Sequence, residues 1–122
     1  MNDIIRIETD KRSSRVVIYN GIVNVGGMTA DDRGQNIQGQ TQQVLAKIDR
    51  FLADAGTDKS RLLTAQIWLK DIGRDFAGMN EIWNAWTAQD AAPTRATAQC
   101  LMAAPNILVE IIVSAALPSL RP

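Results

Sequence analysis

The stretch ILVEIIVSAA, Ile107–Ala116, is apolar at both of its alternating positions apart from Glu110 and Ser114. Successive side chains of a strand point to opposite sides of a sheet, so a strand of this kind is covered on both faces. Only two other segments carry helical spacing, and two amphipathic helices cover one face of a mixed sheet, not both. The second face then needs other subunits. An oligomer follows from that burial, although its number of copies does not.

The rest of the chain supplies the sheet and the helices. Ile4–Glu8 alternates as a short strand. RVVIYNGIVNVGG, Arg15–Gly27, reads as two strands joined at Asn20-Gly21, a strong hairpin signal. Ile37, Val44, Leu45, Ile48, Phe51, Leu52 and Ala55 follow a helical period, with Gly56 where a helix stops. Arg61–Ile72 is strand-like. Phe76, Met79, Ile82, Trp83 and Trp86 form one face of a second helix and are expected in the core. After Pro93 come two strands, Arg95–Met102 and Ile107–Ala116, turning around Ala103–Asn106, and then a loose tail, Leu117–Pro122. The expected architecture is α+β, a mixed sheet with two helices packed on one face, in a single domain spanning 1–122.

Composition narrows the chemistry. Thirteen basic and thirteen acidic residues cancel, and no Lys/Arg cluster marks a phosphate-binding surface, which argues against a nucleic-acid partner. No apolar run reaches the length of a membrane span, and MNDIIRIETDKRSSR lacks a signal-peptide core, so a cytoplasmic chain is expected. Histidine is absent, which removes Ser-His-Asp and Cys-His catalysis and nearly all zinc sites. The one cysteine, Cys100, cannot form an internal disulfide and is expected to be a small structural residue. Catalysis by such a chain falls to Arg, Asp/Glu, Ser/Thr, backbone groups and water.

Two charges stand out against apolar, strand-like surroundings: Arg95 in APTRATAQC and Glu110 in ILVEIIVSAA. Alternation puts Arg95, Thr97 and Gln99 on one face of their strand and Ala96, Ala98 and Cys100 on the other. If the last two strands pair as a hairpin, Glu110 falls opposite Gln99, too far from Arg95 for a tight ion pair. Two readings stay open. The charges serve a salt bridge, within the chain or across a subunit boundary, whose desolvation can exceed its Coulomb gain. Alternatively, the planar fork of Arg95 grips a ligand carboxylate while Glu110 holds a water.

The motifs themselves resemble a known family. APTRATAQC followed by NILVEIIVSAA is similar to the closing segment of the RidA/YjgF family of reactive-intermediate deaminases, a Pro-x-Arg strand and then an apolar strand bearing Glu. NGIVNVGG resembles the family hairpin that ends in glycine. VLAKIDRFLADAGTDKSRLLTAQIWLKDIGRDFAGMNEIWNAW resembles its helix, Ala-Gly turn, strand ending in Asp, and Asp-Phe-Ala segment. The APxRxTxQ and MNxxWxAW patterns are those of the YoaB-like branch.

The resemblance implies a chorismate-mutase-like fold assembled as a homotrimer, with small-molecule clefts between subunits. It implies hydrolysis of 2-imino and enamine acids to 2-oxo acids and ammonia without metal or organic cofactor. Carried over by position, Arg95 is the carboxylate clamp, and Thr97, where many members have cysteine, offers its backbone N–H as a second donor. Glu110 positions the attacking water, Asn80 lines the cleft, and Gly27 lets a ligand approach the backbone. The chain also departs from the pattern. A Gly-Pro-Tyr segment is replaced by DKRSSRVV, with Ser13 or Ser14 nearest the tyrosine, and Gly26 stands where a serine is usual. A different cleft shape and ligand choice are expected. A non-catalytic trimeric binder of small carboxylates is the second reading, and a ribonuclease the weakest.

Overall fold

A computed structural model describes residues 3–119. The elements run β1 (Ile5–Thr9), β2 (Ser14–Tyr19), β3 (Ile22–Met28), α1 (Ile37–Ala55), β4 (Leu62–Leu69), α2 (Ile72–Trp86), β5 (Thr94–Gln99) and β6 (Val109–Ala116). They form one six-stranded mixed sheet in the order β1-β2-β3-β6-β4-β5, in which β4 and β5 are parallel and the other neighbours antiparallel. Among the described residues no helix is long and apolar enough to cross a membrane.

Local chemistry sets the element ends. Asn20 and Gly21 take φ of 52° and 78°, the left-handed pair that a two-residue turn needs to match strand twist. Asn36 caps α1 by accepting from the Gly39 N–H, and Gly56 closes it at φ 92°, donating to the Ala53 carbonyl. Asp71 caps α2 through the Arg74 N–H, which ends the strand expected over Arg61–Ile72 at Leu69.

Both helices lie on one face. Val44, Leu45, Ile48, Phe51 and Leu52 of α1, with Met79 and Trp83 of α2, pack against inward residues such as Val23, Val25, Ile67, Val109, Ile111 and Val113. The other face, carrying Tyr19, Ile22, Trp68, Ala96, Ala98 and Ile112, has no covering element among the described residues. Gln40, fully buried, locks the entry to β6. Its amide donates to the carbonyls of Arg33, Gln35 and Asn106 and accepts from the Leu108 N–H.

Four expectations are corrected. β5 and β6 do not form a hairpin, because β4 lies between them: Trp68 pairs with Glu110 on one side and Ala98 on the other. Phe76 is 41% exposed, because the start of α2 overlies edge strand β5, whose inward residues are Arg95, Thr97 and Gln99 rather than apolar ones. Cys100 is half-buried and lies just past β5, which ends at Gln99 rather than running to Met102. The tail begins tethered, since Leu117 donates to the Gly21 carbonyl and accepts from Arg61; residues 120–122 lie outside the described chain.

Candidate functional site

Arg95 projects from β5 to the helix side, since its register partner Ala65 is buried there. Its Nη1 donates to Asn80 Oδ1 at 2.7 Å. Its Cζ lies 5.6 Å from the Trp83 ring centre and 6.0 Å from that of Phe76. Among the described residues no carboxylate pairs with it. Burial draws its pKa down from the usual arginine value, the signature of a partly dehydrated cation. Among the described residues one of its five N–H donors is engaged, and the others have the fork geometry that suits an anion.

Thr97 shares that face, and its Oγ1 is buried with no hydrogen-bond partner among the described residues. Its backbone N–H can be oriented by parity. Cys100 donates to the Leu69 carbonyl across the β4–β5 pair, so even-numbered N–H groups of β5 point at β4. The Thr97 N–H then points out of the free edge of the sheet. Gln99, next on this face, accepts from the Ile72 N–H and fixes α2 against β5.

Glu110 lies elsewhere. Its neighbours Val109 and Ile111 are fully buried beneath the helices, so Glu110 stands on the uncovered face beside Trp68. The β3 register slips between Val25 and Met28, so that Gly26 and Gly27 together face Ile112. The Glu110 carboxylate rests over Gly27, and a Cβ there would overlap Glu110 Oε2.

The five residues singled out in the sequence therefore fall into two groups. Arg95, Thr97 and Asn80 gather at the β5 edge on the helix side, while Gly27 and Glu110 gather on the opposite face. No single chain brings the groups together. Asn80 is found bonded to Arg95 itself. Sequence reading missed the part played by Phe76 and Trp83; their spacing of four and seven from Phe76 through Asn80 to Trp83 was visible, but an apolar helical stripe reads first as core. The segment replacing Gly-Pro-Tyr is a self-contained turn, with Asp10 Oδ1 accepting from the Arg12 and Ser13 N–H groups and Ser14 bonded to Thr9.

Comparison with known proteins gives the family of the chain. The family described as Endoribonuclease L-PSP matches residues 4–117. A RutC family protein from Haemophilus ducreyi is 43% identical over 114 residues, covering 93% of this chain and 97% of that protein. RutC family protein YoaB from Escherichia coli is 39% identical over 113 residues, with the same coverage of 93% and 97%. The crystal structure of NMB1025 from Neisseria meningitidis, a member of the YjgF protein family, superposes with a TM-score of 0.93 at 40% identity, covering 97% of this chain and 98% of that one. More distantly, the chloroplastic Reactive Intermediate Deaminase A of Arabidopsis thaliana is 27% identical over 100 residues, 82% of this chain and 52% of that protein. With agreement of this extent in sequence and fold, the chain belongs to the RidA/YjgF family, among its RutC and YoaB members.

Proposed function

We propose that this chain is a cofactor-free hydrolytic deaminase of 2-imino and enamine acids, working in clefts shared by neighbouring protomers of a homotrimer. Membership of the family supports a reactive-intermediate deaminase role at family level. The observation that carries the reading is the split site: an arginine with no carboxylate partner among the described residues on one face, and a glutamate on the other. The uncovered face, with Tyr19, Ile22, Trp68 and Ile112 on it, and the free β5 edge are where another copy would dock, joining Arg95 of one protomer to Glu110 of the partner subunit.

In such a cleft the Arg95 fork and the Thr97 N–H hold the substrate carboxylate, and Asn80 orients the fork. Glu110 accepts a hydrogen bond from a water and directs its oxygen at the imine carbon. The water oxygen bonds to that carbon while its proton passes by way of Glu110 to the imine nitrogen. The carbinolamine's hydroxyl proton then passes, again by way of Glu110, to its nitrogen as the C–N bond breaks, so that ammonia leaves and the C–O bond becomes the carbonyl of a 2-oxo acid. A protonated imine is already electrophilic, so orientation and one proton carrier suffice, and no strong nucleophile is needed.

The test generates 2-iminopropanoate in situ with an amino-acid oxidase and traps what remains. Wild type should shorten the lifetime of the imine. Arg95→Ala should lose about 10- to 100-fold in kcat/KM, the worth of charge-assisted hydrogen bonds to the carboxylate. Wild-type decay equal to a no-protein control would make the binder of small carboxylates the better account.

A further inference from the structure

We propose that Trp83 and Phe76 are positioning residues for Arg95, two rings on α2 that fix the plane of its guanidinium toward the ligand carboxylate. The inference rests on the reading of Arg95 as a carboxylate clamp. An arginine on an edge strand has a long, mobile stem, and a two-pronged grip works only if the fork is already oriented.

Three side chains of one helix do the orienting. Phe76, Asn80 and Trp83, spaced by four and then three residues, lie on one stripe of α2 and converge on Arg95. Asn80 takes a single nitrogen and leaves rotation about that bond. The two rings remove that freedom, because a guanidinium prefers the face of an aromatic ring. Trp83 is only 5% exposed, so its attraction for the cation is little screened by water. It is braced in turn: its ring lies 5.4 Å from that of Trp86, whose Nε1 donates to Asp49 Oδ2 of α1 at 3.0 Å. The clamp is thereby tied through two indoles to the long helix of the fold.

The test measures binding of 2-oxobutanoate to the native oligomer by calorimetry, and kcat and KM with the imine. Trp83→Leu should weaken binding and raise KM about tenfold with kcat nearly unchanged, while Trp83→Phe, which keeps a ring face, stays within about threefold of wild type. Phe76→Ala, at an exposed position, should weaken binding about threefold without disturbing the fold, and it carries the test if Trp83→Leu does not assemble. In an Arg95→Ala background, measured at higher ligand concentration, neither change should have any further effect, as residues acting through one group require. Unchanged binding in Phe76→Ala and Trp83→Leu, or losses that add to that of Arg95→Ala, would overturn the positioning role while leaving the clamp intact. Absence of 2-oxobutanoate binding by wild type would overturn the clamp reading, and this role with it.

Discussion

Glu110→Gln is expected to lower imine turnover about 10³-fold while leaving 2-oxo acid binding within about threefold, because the change removes proton transfer and keeps side-chain volume. Arg95 and the Thr97 N–H, which would hold the carboxylate in the proposed cleft, are on another element and are untouched. The competing account makes Glu110 a structural ion-pair partner at the subunit boundary. That account expects the opposite pattern: a weakened oligomer, with normal turnover in whatever remains assembled. Sedimentation or light scattering beside the kinetic assay separates the two.

Gly27→Ala is expected to lose about 100-fold in activity with little change in stability, because displacing a catalytic group by an ångström has that order of kinetic cost. The added methyl would occupy the space now taken by the Glu110 carboxylate. That carboxylate ends a flexible side chain, so it can swing aside at little cost to folding. It cannot do so and still hold a water at the same point. The backbone of Gly27 has a φ open to other residues, so its lack of a side chain serves contact rather than conformation. Urea unfolding of the native oligomer and the imine assay, run on the same sample, check both halves of the expectation.

The parts of the fold legible in the sequence are those decided by neighbours along the chain. The Asn20-Gly21 hairpin and the stop of α1 at Gly56 were visible because their residues are chosen for a left-handed backbone. The partner of β5 was not visible. A turn-like Ala103–Asn106 suggests a hairpin, but β4 lies between, antiparallel to β6 and parallel to β5. Alternation separated the Arg95 face of β5 from the alanine face, yet could not say which one the helices cover. Amphipathic logic would turn Ala96 and Ala98 inward. The protein turns Arg95, Thr97 and Gln99 inward instead, where Asn80 and the start of α2 supply polar partners. The alanines are left on the uncovered face, where small side chains allow another backbone to come close. For the same reason Phe76 fits a core stripe by spacing and yet ends beside a cation. The residues of the candidate site were thus readable from motif resemblance, and their division between two faces was readable only from long-range strand order.

That division can be tested by subunit mixing. Arg95→Ala and Glu110→Gln proteins, each near background alone, are unfolded together in equal amounts and refolded into mixed oligomers. In a ring where each cleft draws Arg95 from one protomer and Glu110 from the next, random mixing leaves both groups intact in about a quarter of the clefts, so about a quarter of wild-type activity should return. Activity no greater than the average of the two parents, from oligomers shown to be mixed, would mean that Arg95 and Glu110 act from the same chain and would contradict the shared cleft.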